Sequence, residues 1–163
     1  MSGAAAPARR GALWILGAGG HGRVVADAAE VAGRHDEIVF FDDDAARAAQ
    51  VSPRAFGGDH AAFLAGHGAG PGIERHVAIG DNGTRERFVR RCEEAGLALA
   101  TVVHPAAVVS RDATLGAGGF VAAGAVVVAD VPDDECVVGN PARPLPPRGP
   151  APDPSPPRAP TDA

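Results

Sequence analysis

The sequence predicts an α/β protein in two parts: a small parallel sheet covered by helices, followed by a short repeat-built β-structure. Three observations predict it. Apolar runs alternate with amphipathic stretches from residue 12 to about 103, a six-residue aliphatic period takes over after His104, and proline dominates from Pro141. The 163 residues suffice for one ordinary domain or two small ones with a buried core.

Residues 1–11 are small and polar and read as a frayed leader. "ALWIL" (12–16) is a buried strand, and "GAGGHG" (17–22) a turn. "GRVVADAAEVAG" follows with Val24, Val25, Ala28, Ala29 and Val31 at helical spacing and Gly33 as its stop. "EIVFFDDD" and "HVAIGDN" supply two more strands, "TRERFVRRCEEAG" a second amphipathic helix, and "LALATVV" a fourth strand. Strand alternating with helix predicts a Rossmann-like unit over 12–103.

Residues 104–146 follow a different grammar. In "AVVSRD ATLGAG GFVAAG AVVVAD" the residues Val109, Leu115, Val121 and Val127 fall six apart among small residues. That period suits a parallel β-helix, in which each short strand sends one side chain inward and small residues allow the corners. The hexads from Ala107 to Asp130 predict about one coil and a third. A loop or hairpin is the alternative. Residues 147–163 are so proline-rich that they predict a disordered tail, either merely solvated or recruiting a proline-reading partner.

Composition excludes several functions. Net charge is −5, every basic residue is arginine and no window concentrates them, which argues against a nucleic-acid partner. The N-terminus lacks the apolar core of a signal peptide, and no stretch approaches the ~20 apolar residues that span a bilayer. Cys92 and Cys136 match no metal-ligand or redox spacing. A soluble cytoplasmic protein without a metal is expected.

The turn satisfies G-x-G-x-x-G through Gly17, Gly19 and Gly22, between a strand and a helix, and Asp42 stands 20 residues beyond Gly22. Such a turn lets main-chain amides approach a pyrophosphate at the positive end of the helix. Any nucleotide diphosphate could use it, and so could a tight turn with no ligand. His21 is unusual for nicotinamide binding; it either donates to a sugar or phosphate, or caps the helix and packs.

Taken in order, "ILGAGGHGRVVADAAE", "VFFDDD", "VAIGDNGTRERFV", "VVHPAAVVS" and "DVPDDECVVGNPARPL" resemble the sugar acyltransferases of the sialic acid O-acetyltransferase and bacillosamine-pathway N-acetyltransferase kind. The resemblance covers roughly residues 12 to 146. It implies a Rossmann-like domain that binds a nucleotide sugar or sugar, then a left-handed parallel β-helix that trimerises and binds acetyl-CoA between coils. By motif, Gly19, Gly20, His21, Asp42, Asp43 and Gly80 would contact the substrate, and Ala123 and Gly124 the coenzyme. Asp44, Asp133, Asp134 and Glu135 read as solvated.

The family's coil runs for more hexads and carries a general-base histidine on a middle coil. This chain has no histidine after His104, which reads as a boundary residue, and its hexads pass from the family's first directly to its last. The coil therefore reads as truncated, with no identifiable catalytic residue and with trimerisation disfavoured. Three functions follow: an impaired acyltransferase, a non-catalytic nucleotide-sugar-binding protein, or, on the glycine turn and Asp42 alone, an NAD-dependent oxidoreductase.

Overall fold

The computed structural model describes residues 10–65 and 72–145. Residues 1–9 of the expected leader and all of the expected proline-rich tail lie outside the described residues.

Strand β1 (Arg10–Leu16) starts two residues earlier than "ALWIL" suggests and pairs in parallel with β2 (His35–Phe41) on one side and β4 (Ile73–Val77) on the other. β3 (Ala55–Gly58) extends the sheet beyond β2, giving the order β3-β2-β1-β4. Because β1 is buried on both faces, it is apolar at consecutive positions rather than at alternate ones. Leu13 and Ile15 join one core cluster, while Trp14 and Leu16 join the other.

Helix α1 (Gly20–Ala32) covers the first face with Val25, Ala26, Ala28 and Ala29, and it ends where Gly33 takes a left-handed conformation, φ 62°. A short 3₁₀ turn (Ala45–Arg47) and α2 (Ala48–Val51) lead from β2 to β3. α3 (His60–Ala65) and α4 (Asn82–Glu94) cover the other face through Phe63, Leu64, Val89 and Cys92. Asp81 caps α4 by accepting the Thr84 N–H at 2.8 Å. On that face the Arg75 guanidinium lies over the Trp14 ring at 4.9 Å.

"LALATVV" does not add a fourth strand to this sheet. Leu99 makes only an isolated bridge to Arg75, and β5 (Val102–Val103) instead starts the second structure by pairing with β7 (Phe120–Val121). Val102 meets Phe120 eighteen residues on, three hexads per coil. β6 (Val108–Val109) pairs with β8 (Val126–Val127) in the same step, and β7 pairs with β9 (Cys136–Val138). The second coil is two residues shorter, because Leu115 bridges Val131 and Phe120 meets Cys136 sixteen residues on. β10 (Arg143–Pro144) turns back antiparallel on β9 and covers its free edge. The coil thus holds more turns than the four hexads suggest, since "VVHP" and "CVVGNPARP" both join it.

Alternation sorts the coil strands. Val103, Val109, Leu115, Val121, Val127 and Val137 fill the interior, while Val102, Phe120 and Cys136 face outward into the core cluster that also contains Val25, Ala29 and Ile15. One wall of the coil is therefore shared with the Rossmann-like unit.

Phe120, 3% exposed, is the largest side chain at that joint. Replacing it with alanine is expected to lower the unfolding free energy by about 3–5 kcal/mol in urea titrations. Val108→Ala, at the exposed outer position of β6, should change it by less than about 0.5 kcal/mol.

Candidate nucleotide-sugar site

The sheet order places β1 between strands whose connections leave in opposite directions, which opens a crevice beyond the carboxyl ends of β1 and β4. The glycine turn follows β1, "IGDN" follows β4, and "FDDD" closes the side next to β2. The predicted substrate residues Gly19, Gly20, His21, Asp42, Asp43 and Gly80 all lie on these three segments.

Gly19 is the N-cap of α1, with no side chain capping the helix and no acidic residue in its first turn. This leaves the positive helix end facing the crevice. Gly22 has a different job. A Cβ on it would come within 1.9 Å of the Gly17 carbonyl oxygen, so it permits close approach of helix to strand. Gly20 and Gly80 are exposed, and a Cβ on either would meet nothing within 4 Å.

The three acids of "FDDD" have separate roles. Asp42 Oδ2 accepts the Ala18 N–H at 2.9 Å, and Oδ1 accepts the Asp44 N–H at 3.0 Å, so this carboxylate ties the glycine turn to the end of β2. Asp43 pairs with His60 Nδ1 at 2.8 Å. Asp44, expected to be solvated, caps the 3₁₀ turn through the Ala46 N–H at 3.1 Å.

His21 lies on the first turn of α1 and reaches the coil. Its Nε2 is 3.6 Å from Cys136 Sγ, and its ring meets Phe120 edge to face at 5.6 Å. These contacts place the imidazole where the glycine turn and the coil meet. The His76 ring also meets Phe120 edge to face, at 6.5 Å, and its Nδ1 lies 3.0 Å from the Ala100 carbonyl oxygen. Its Nε2 makes no hydrogen bond among the described residues. Burial, reinforced by the charges of His21 and Arg85, pushes the His76 pKa down to about 4. Arg85, held by Asn82 Oδ1 at 2.9 Å, borders the same space.

Burial raises both thiols, Cys92 to about 11, so neither is poised as a nucleophile at neutral pH. His104 accepts the Ala106 N–H at 3.0 Å within a coil corner. Asp133 accepts the Ala117 N–H at 2.8 Å, and Asp134 is half-buried, its carboxyl pushed up to about 6 by desolvation and by Glu93. Asp133 is exposed, whereas Asp134 is partly buried rather than fully solvated. Ala123 and Gly124 are exposed on the corner between β7 and β8. No group of His, Cys, Asp and Glu among the described residues could hold a metal ion. A separate cleft of about 220 Å³ lies at the amino ends of β2 and β4, lined by the His35–Glu74 pair and Val102, and contains none of the predicted residues.

Residues 12–92 match the family model of the PglD N-terminal domain. The structure is similar to the acetyltransferase domain of PglB from Neisseria gonorrhoeae in complex with acetyl coenzyme A, with a TM-score of 0.61 and 25% identity over 84% of this chain and 100% of that one. Residues 12–92 belong to the PglD N-terminal domain family. Its fold is also similar to that of PerB from Caulobacter crescentus in complex with CoA and GDP-perosamine, with a TM-score of 0.54 and 22% identity over 82% of this chain and 97% of that one. No curated protein matched the sequence. No helix among the described residues is long and apolar enough to cross a membrane.

Arg47, Phe120, Cys136 and His76 were not found from sequence. Arg47 sits in a stretch with no motif, and the other three matter only because the coil folds back on the turn.

Two measurements check this geometry. His76 stays neutral in the folded protein down to about pH 4, whereas an unfolded histidine protonates near 6.5. Its contribution is complete above pH 6.5 and is lost as pH falls toward 4, by about 3 kcal/mol in total. Asp134 acts in the opposite sense, its raised pKa favouring the fold as pH falls through 6. The difference between wild type and His76→Leu therefore isolates the histidine: the variant's stability should decline less between pH 7 and 4.5, and equal declines would refute the assignment. Second, Gly22→Ala should unfold at markedly lower urea concentration, while Gly20→Ala should stay within about 1 kcal/mol of wild type.

Proposed function

We propose that this chain binds a nucleotide-activated amino sugar in the crevice beyond β1 and β4, and transfers acetyl from acetyl-CoA slowly or not at all. The observation that carries the reading is that the uncapped glycine turn opens toward a coil wall bearing Phe120 and Cys136, in a chain with no histidine beyond His104. Gly19, Gly20 and Gly80 give a ligand access to main chain, His21 stands at the boundary with the coil, and Asp42 and Asp43 offer carboxylate acceptors to ribose or base. The neighbouring structures named above hold acetyl-CoA, or CoA with GDP-perosamine, which supports both substrates here.

Transfer requires the acceptor amine to attack the thioester carbonyl, form the amide bond, lose a proton and expel the CoA thiolate. A positioned base typically contributes ~10²–10⁴-fold to such a step. The coil carries no imidazole beyond the corner residue His104 to take that proton. Ala123 and Gly124, exposed and nearly without side chains, leave a main-chain corner for the coenzyme. The coil is short for the trimer that the family forms, so we expect trimerisation to be weak or absent. The same missing base favours a second reading, a non-catalytic nucleotide-sugar-binding protein. A nicotinamide-dependent oxidoreductase would rest on the glycine turn and Asp42 alone.

Calorimetry with UDP-, CMP- and GDP-amino sugars, NAD and acetyl-CoA, run beside an assay of CoA thiol release, separates these. Expected are binding of a nucleotide sugar and thiol release far below the ordinary enzyme range of ~1–10³ s⁻¹. Turnover near 1 s⁻¹ would overturn the impaired-enzyme reading, and binding of NAD alone would overturn the site.

A further inference from the structure

The cation beside the glycine turn belongs to no motif in the sequence. Arg47 ends the 3₁₀ turn after β2, and its Nη1 lies 2.9 Å from the point where a Cβ on Gly19 would sit. The guanidinium is thus packed directly over the N-cap of α1. Its Nε is 3.6 Å from Asp42 Oδ1 and 3.5 Å from Asp44 Oδ2, close enough for attraction but too far for good hydrogen bonds. Nε is buried and makes no hydrogen bond among the described residues, while the side chain as a whole keeps 38% of its surface.

This placement is electrostatically awkward for a resting arginine. The N-terminal end of α1 carries a partial positive charge that repels a guanidinium and attracts an anion. The two carboxylates that hold Arg47 are themselves committed elsewhere. Asp42 takes two main-chain amides and Asp44 takes a third. The guanidinium therefore keeps donor capacity on the side of Gly19, where helix amides and arginine would converge on one point. A diphosphate fits that arrangement better than a nucleoside does, because it can accept from a planar fork of N–H donors and from helix amides together.

Resting on the nucleotide-sugar reading above, we propose that Arg47 is a specificity-determining residue that binds the diphosphate of the nucleotide. Asp42 and Asp44 hold the guanidinium over Gly19 until the anion arrives. Asp43, paired with His60 on the outer side, takes no part. The residue selects for the phosphate charge rather than for the base.

The test is calorimetry on the full chain with UDP and uridine, and with GDP and guanosine, comparing wild type with Arg47→Ala, Arg47→Lys and Asp44→Asn. Arg47→Ala should weaken diphosphate binding roughly 10- to 100-fold and leave nucleoside binding within about twofold. Arg47→Lys should recover part of the loss, since it keeps the charge but not the fork. Asp44→Asn, which removes a competing charge while keeping a cap acceptor, should hold or tighten diphosphate binding. Equal losses for diphosphate and nucleoside in Arg47→Ala would show a structural role and overturn the proposal. If wild type binds a diphosphate and Arg47→Ala binds it as well, the assignment of Arg47 alone fails. If wild type binds neither diphosphate, the nucleotide reading fails and takes this inference with it.

Discussion

The burial of one coil wall against α1 and β4 is the constraint on which the rest of the molecule depends. Val102, Phe120 and Cys136 stack at the same position of successive coils, so a single outward row is apolar and continuous. That row shares a core with Val25, Ala29 and Ile15. A coil of so few turns has little interior of its own, and neighbouring repeats alone would bury little surface. Docking supplies the missing burial, and β10 covers one of its edges.

The same contact completes the candidate site. A glycine turn at a sheet edge is otherwise open to solvent on one side. Here Phe120 and Cys136 stand against His21, and the neutral, buried His76 backs Phe120. Keeping His76 uncharged matters at this spot. A protonated imidazole would place a buried charge beside Arg85 and the positive end of α1, at a substantial desolvation cost.

Charge around the crevice follows one design. Asp42 fixes the turn by accepting the Ala18 N–H, Asp44 caps the following 3₁₀ turn, and both hold Arg47 over Gly19. The acids of "FDDD" thus act first on the protein's own main chain and cation. Any ligand must fit around a carboxylate set that is already ordered, which limits the ordering cost of binding.

The sequence by itself determined the elements whose signals are local. Consecutive apolar residues marked β1 as buried on both faces, helical spacing and Gly33 bounded α1, and the six-residue period marked the inward row from Val109 to Val127. G-x-G-x-x-G identified the turn because the need for Gly22 arises within a few residues, from the Gly17 carbonyl. Tertiary structure alone decided the rest. "LALATVV" reads as a strand of the first sheet, but sheet and coil strands are both short and apolar, and the pairing of Val102 with Phe120, eighteen residues on, put it in the coil. Arg47 reached the glycine turn only because β2 and β1 are neighbours. His21 met Cys136 across 115 residues because the coil folds back on α1. Local chemistry can be read along the chain, whereas a contact between two distant segments depends on which surfaces are left to bury after each has folded.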